Sequence, residues 1–404
     1  MDKKNVFSSS ELDNYAEIMI WGLKKAKKKP LEKNSFVEIK FDHEAMPLAE
    51  KIYEKLILQG INPDLHLLQT PALEKFFFEN ADKDQIISVK PGHQNYLENI
   101  SGSITLIAPS SLNHLKDVDF TKLSDFAKSR KHLRTILNER EKTGDYSWTL
   151  CIYPTKALAS AAGTDFEDYV ENISQTCFLR EEKPIELWEK TAEKIEKTKE
   201  KLLSLDIEWF HIKSENTDLY LKQGEKRKWL GLSGRNIPSF EIFITPDCRF
   251  VSGTYFANQP SFRSGNIIED IKLEFKNGEI VSASAKKGEQ YLLKTIETDD
   301  GARRIGEFSM TDRNFSKISS FMANTLYDEN YGGNFGNVHI ALGSSYADSY
   351  SGNPETLDSR LKKELGFNES SVHWDIVNTE DKTVTAVLKS GEKIIIYKSG
   401  EFQI

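Results

Sequence analysis

SFVEIKFDHEAMPLAEKIYEKLILQGINPDLHLLQ, residues 35–69, decides the fold of the first part of the chain. Its ends, SFVEIKF (35–41) and PDLHLLQ (63–69), read as strands, and residues 45–59 between them read as a helix that stops before Gly60. ITLIAPS (104–110) and SWTLCIYPT (147–155) are two further short apolar runs of strand type, and residues 120–142 read as a helix strongly charged on one face. Strands alternating with helices predict a parallel sheet with helical cover. Upstream, residues 11–28 carry Tyr15, Ile18, Met19, Leu23 and Ala26 at helical spacing, and the lysines from Lys24 to Lys29 suit a helix C-terminus, with Pro30 as the stop.

The pattern changes past a charged helix at 182–204, whose apolar side is Leu187, Ala192, Ile195, Leu202 and Leu203. Residues 207–223 read as a β-hairpin. Residues 268–288 read as another, with Asn277-Gly278 as its turn. TVTAVLKSGEKIIIYKSGEFQI (383–404) reads as two or three short strands. The expected architecture is an α/β N-terminal domain with a mainly parallel sheet (1–180), followed by an α+β domain rich in antiparallel sheet (181–404).

Composition narrows the function. A net charge of −8 argues against general nucleic-acid binding. No apolar run approaches a membrane span, and MDKKNVFSSSELDNY has no apolar core of a signal peptide. Cys151, Cys177 and Cys248 form no disulfide framework and no CxxC knuckle, which fits a reducing cytoplasm. There is no GxGxxG after a strand and no GxxxxGK[ST]. His43, His66 and His93 lack acidic partners at ligand spacing and read as structural or surface histidines, and the phenylalanines of Leu73 to Phe78 as core or interface.

Chemistry concentrates near the C-terminus. HIALGSSY (339–346) and HWD (373–375) hold the last two of eight histidines. Residues i and i+2 of a strand share a face, so HWD presents His373 and Asp375 side by side. Glu241 opens the apolar run EIFIT, where it is either an ordinary partly exposed glutamate, a cation's partner or a ligand. Glu307 follows GARRIG. Asp299 or Asp300 is expected to cap a short helix there, placing Glu307 at its C-terminal end, where Arg303, Arg304 or a metal would compensate it. Alone, His339 reads as a core histidine, and Tyr346 as a ligand, an oxyanion donor or a packed ring. There is no HExxH and no GxSxG elbow. Glu241, Glu307 and Asp375 with a bridging hydroxide would carry four negative charges, which two divalent ions neutralise. Another dinuclear metallohydrolase (a phosphoesterase or amidase) would use the same residues, but no basic or Gly-rich phosphate cradle is evident. A non-catalytic peptide-binding protein is the other alternative.

Taken together, five segments resemble the thermophilic-type metalloaminopeptidase family of aminopeptidases T and S: NIPSFE (236–241), GARRIGE (301–307), NTLYDEN (324–330), HIALGSSY and HWD, with weaker similarity over nearly the whole chain. The resemblance implies removal of N-terminal residues from short peptides by a hydroxide activated by two divalent metal ions (zinc, cobalt, manganese or magnesium). It also implies a homodimer with an enclosed active site. By motif, Glu241, Glu307, His339, Tyr346, His373 and Asp375 would form the metal site. Glu307 or Glu241 would be the general base, and Tyr346 would stabilise the oxyanion. One departure is the longer link YGGNFGNV (331–338) before His339, which is expected to reshape the pocket and leaves the role of Glu329 open.

Overall fold

The computed structural model describes residues 6–263, 265–353 and 356–404. It contains two compact units, residues 1–187 with 233–238, and residues 188–232 with 239–404.

In the first unit the strands Phe36–Phe41, Asn62–Leu67, Gly102–Ile107 and Ser147–Ile152, with the short Asn236–Ile237, form one five-stranded sheet, parallel throughout. The helix Met46–Leu58 joins the first two strands, as residues 35–69 predict. Val37, Ile39 and Phe41 bury the apolar alternation of the first strand, together with Ile104, Leu106 and Cys151 from its neighbours. The helix Ser9–Ala26 lays Tyr15, Met19 and Leu23 into this core and starts at a Ser8–Glu11 capping box. It ends at Ala26, and Lys27 lies beyond it with its ammonium on the Ser101, Gly144 and Asp145 carbonyls. The helix expected at 120–142 is two helices, Phe120–Ser129 and Lys131–Thr143, because Arg130 leaves helical geometry and turns its guanidinium to the Ile86 and Ser88 carbonyls.

The second unit is built on antiparallel sheets. An eight-stranded sheet contains both expected hairpins, Ile207–Lys213 with Asp218–Lys222 and Ile271–Lys276 with Glu279–Ser284, the latter turning at Asn277-Gly278. The C-terminal strands Thr383–Leu388, Lys393–Lys398 and Glu401–Phe402 complete that sheet. A second, four-stranded sheet has the order His373–Asn378, Asn337–Gly343, Ile305–Thr311, Glu241–Ile244. One of its faces is apolar, with Ile242, Ile244, Phe308, Met310, Val338, Ile340, Leu342, Trp374 and Ile376 all buried. Phe308 packs on Phe210 of the larger sheet at 5.1 Å between ring centres. Tyr255, also from the larger sheet, donates to the Ile376 carbonyl at 2.8 Å. The two sheets are therefore clamped face to face through this apolar layer.

The fold class is thus α/β with a parallel sheet first, and α+β dominated by antiparallel sheet second. Among the described residues, no helix is long and apolar enough to cross a membrane.

Candidate metal centre

The alternation that sends the apolar residues of the four-stranded sheet inward sends a polar set to its opposite face. Register pairs place Glu241 opposite Thr311, Ser309 opposite His339, Glu307 opposite Ala341, Ala341 opposite Asp375, and Gly343 opposite His373. Ala341 therefore sits between Glu307 and Asp375 in neighbouring strands. Its single methyl group leaves room for both carboxylates to lean over it.

Glu307 reaches this face through a bulge. Ile305 pairs with Leu342 and Glu307 with Ala341, so Gly306 is the extra residue and the two neighbours point to opposite faces. A Cβ at Gly306 would run into the Ser344 and Gly343 carbonyls, so only glycine fits. This corrects the expectation of a helix through Gly306. Asp299 does cap a short turn, Asp300–Arg303, but Glu307 lies within the strand Ile305–Thr311. Nor do the neighbouring arginines compensate it, since Arg303 pairs with Glu297 and Arg304 with Glu279.

The close basic partners of the buried carboxylates are the two imidazoles. His339 Nε2 lies 3.3 Å from Glu241 Oε2, 3.3 Å from Glu307 Oε1 and 4.0 Å from Asp375 Oδ1. His373 Nε2 lies 3.4 Å from Asp375 Oδ1 and 3.6 Å from Glu307 Oε2. Glu307 thus offers one oxygen to each imidazole. Two overlapping ligand sets result, Glu241–Glu307–His339 and Glu307–His373–Asp375, sharing Glu307. These are the candidate ion-holding groups among the described residues, and His43, His66 and His93 belong to neither. Tyr346 stands at the edge, 44% exposed, its ring 4.8 Å from that of His373, with its backbone held by the Thr245 hydroxyl.

Electrostatics reflect the crowding. Burial and the charges of Glu241 and Asp375 push Glu307 up to about 7, against the pull of His339. Burial alone would lower His339, but Glu241 and Glu307 raise it well above its usual value. His373 is likewise raised by Asp375 against its own burial, and Asp375 is held down by His373. Although the Tyr346 ring is partly exposed, desolvation at its hydroxyl and the charges of Glu307 and Asp375 raise the phenol above its usual range.

Several neighbours carry no motif signal. Ser309 Oγ donates to Glu241 Oε2 at 2.8 Å, and Asn337 Oδ1 faces His339 Nδ1 at 3.3 Å. Both lie two residues from a site residue on the same strand, and that spacing is the sequence signal by which they are found. Glu329 is buried, and burial with the charges of Glu241 and Asp375 raises its carboxyl well above the usual range. It lines a small cavity together with Asp375, Asp328 and Ser261. Asn330, next in sequence, accepts from the Phe240 N–H and so fastens this segment to the residue before Glu241.

The donor set fits a metal ion. Carboxylate oxygens and imidazole Nε2 atoms converge from four strands onto common points, and burial of so much negative charge is costly unless a cation sits among it. Mixed oxygen and imidazole ligation suits divalent ions of zinc, cobalt or manganese type.

A buried, carboxylate-rich, histidine-containing centre on an antiparallel sheet is of the kind that metal-dependent hydrolases carry. The chain belongs to the thermophilic metalloprotease family M29, whose sequence model matches residues 8–402, and, with the aminopeptidases it resembles, it is a metalloaminopeptidase. It is 27% identical to aminopeptidase AmpS of Bacillus subtilis over 77% of this chain and 78% of that protein. It is 27% identical to aminopeptidase T of Thermus aquaticus, over 93% of this chain and 92% of that protein. The solved structure of wild-type AmpT from Thermus thermophilus shares the fold, with a TM-score of 0.80 and 22% identity over 98% of this chain and 99% of that one.

Proposed function

We propose that the chain removes N-terminal residues from short peptides at a centre of two divalent ions held by Glu241, Glu307, His339, Tyr346, His373 and Asp375. The catalytic domain would be residues 181–404, acting in the cytoplasm as a homodimer. The observation that carries this reading is the pair of overlapping ligand sets sharing Glu307, one oxygen turned to each side. Two ions bound there would supply a nucleophilic water at neutral pH and polarise the scissile carbonyl.

The chain's own groups supply the rest. Glu307 or Glu241 takes the proton of the attacking water. Tyr346, with its phenol kept protonated, donates to the oxyanion of the tetrahedral intermediate. The negative site attracts a free α-ammonium, which confines cleavage to the N-terminus.

The test is hydrolysis of leucine and arginine p-nitroanilides, their N-acetylated forms and a phosphate ester by chelator-stripped protein, with Zn²⁺ or Co²⁺ restored. Metal-restored cleavage of the free-amine anilides alone is expected. Cleavage of the phosphate ester instead would assign another dinuclear hydrolase, and inertness to every substrate would point to a binding role. His373→Ala is expected to lose activity together with metal. Full activity at normal metal content in that variant would refute its place in the centre.

A further inference from the structure

The two histidines of the centre are oriented by different devices. His373 Nδ1 donates to the Ser344 carbonyl at 2.9 Å. A backbone carbonyl can only accept, so this contact keeps a proton on Nδ1 and makes Nε2 the nitrogen that would hold an ion beside Glu307 and Asp375. His339 is buried away from solvent, and among the described residues no carbonyl accepts from its Nδ1. Its Nδ1 faces the side chain of Asn337, whose amide could present either its oxygen or its nitrogen.

The surroundings of Asn337 remove that ambiguity. Its Nδ2 donates to the Glu329 carbonyl at 3.0 Å and to the Tyr331 carbonyl at 2.7 Å. Both amide hydrogens are thereby committed to groups that can only accept. Oδ1 is the atom left for His339 Nδ1, 3.3 Å away. Rotating the amide would set Nδ2 against the ring and leave two buried carbonyls facing an oxygen, which is costly. Asn337 is itself fully buried, in the strand that carries His339, two residues away on the same face.

We infer that Asn337 is a positioning residue that holds the proton of His339 on Nδ1, so that with an ion bound Nε2 is the nitrogen that ligates it between Glu241 and Glu307. The inference rests on the reading of these residues as a metal centre. It also gives the long link before His339 a role. The carbonyls of Glu329 and Tyr331 that lock the amide lie where that link begins, so the link sets the polarity of the ligand it precedes. Partners of this kind change metal affinity by about 10- to 100-fold when removed.

The experiment uses the full chain with ¹⁵N-labelled histidine, loaded with Zn²⁺, His339 being assigned by its absence in His339→Gln. NMR is expected to show His339 protonated at Nδ1. Zn²⁺ affinity is then measured by chelator competition for wild type, Asn337→Ala, Asn337→Asp and Tyr397→Phe. Asn337→Ala is expected to bind about 10- to 100-fold more weakly, and Asn337→Asp, which keeps an acceptor at Nδ1, within about threefold of wild type, with the cost of turning an oxygen to the two carbonyls read instead as a lower melting temperature. Tyr397→Phe removes a hydroxyl that bonds the Thr311 carbonyl and, at 3.4 Å, the Phe335 and Asn337 carbonyls, without touching the Asn337 amide or the imidazole; it controls for lost backbone support and is expected to bind as wild type does. An unprotonated Nδ1 in wild type would overturn the inference without recourse to any variant. So would Asn337→Ala binding as tightly as wild type, or Asn337→Asp weakening as much as Asn337→Ala. Failure of the wild-type chain to bind Zn²⁺ or Co²⁺ would instead overturn the metal-centre reading, and the inference with it.

Discussion

Glu11→Gln is expected to destabilise the first unit in a strongly pH-dependent way. The Glu11 carboxylate accepts from the Ser8 N–H at 2.9 Å, the Ser8 hydroxyl at 2.8 Å, the Ser174 hydroxyl at 3.0 Å and Arg180 Nε at 2.8 Å. Burial opposes its charge, but these donors outweigh burial and hold the carboxyl down to about 2, from 4.5. A depressed acid contributes stability that is complete above its unfolded pKa and disappears as pH falls through its folded one. A difference of about 2.5 pH units corresponds to about 3 kcal/mol at pH 7, about 1 kcal/mol at pH 3 and less than about half a kcal/mol at pH 2. These are upper values, because Arg180 is exposed and salt screens its share. The cost of Glu11→Gln should follow the same curve. It is read by urea unfolding of the full chain at pH 7, 5 and 3, with hydrogen exchange of the Ser9–Ala26 amides locating the effect. A cost as large at pH 3 as at pH 7 would show that the charge of Glu11 is not what holds the helix.

Other predictions concern the centre. Ser309→Ala should weaken Zn²⁺ binding about tenfold in chelator competition, because its hydroxyl holds Glu241 Oε2, with little change in melting temperature. Tyr346→Phe should lower metal content, since the phenol is among the groups proposed to hold the ions, and at saturating metal should lower kcat about 100-fold with KM near wild type; an equal loss in 1/KM would mean that the phenol binds the ground state instead. Gly306→Ala should cost about 1–3 kcal/mol of stability and lower metal content, since a Cβ there displaces the Ser344 carbonyl and undoes the bulge that aims Glu307. Thermal unfolding and metal analysis read both effects.

The parts of the fold legible in the sequence are those set by local chemistry. Residues 35–69 carry their own strand, helix and strand signals, and Asn277-Gly278 fixes a hairpin whatever surrounds it. His373 and Asp375 are adjacent because a strand alternates, and their 3.4 Å contact follows from spacing alone. Glu307 was not legible in this way. Asp299 is a real cap, and the cap signal suggests a helix, but the strand begins at Ile305 because it pairs with Asn337–Gly343, more than thirty residues downstream. That pairing, and the extra residue at Gly306, are non-local. Arg130 illustrates the same limit in the first unit. The periodicity of 120–142 runs through it, yet carbonyls some forty residues upstream draw its side chain and the helix breaks.

Ser309 and Asn337 show why the surroundings of a site are harder to read than its ligands. Every residue of Ile305–Thr311 and Asn337–Gly343 is buried, so serine and asparagine there do not mark an exposed face as they would in a half-solvated strand. They mark the second half of a division of labour. One face of the sheet is apolar and clamped to the larger sheet through Phe308 and Phe210, which fixes the backbone. The rigid backbone then lets the other face hold three carboxylates and two imidazoles at short range. A flexible support would relax them apart, because mutual repulsion in a low-dielectric setting favours separation. The glycine at 306 and the methyl of Ala341 are the steric conditions for that crowding, and the amide of Asn337 and the hydroxyl of Ser309 are its polar ones. Glu307 stands where the constraints meet. It is aimed by a bulge, given room by an alanine and shared between two imidazoles, so geometry rather than residue type makes it the centre of the site.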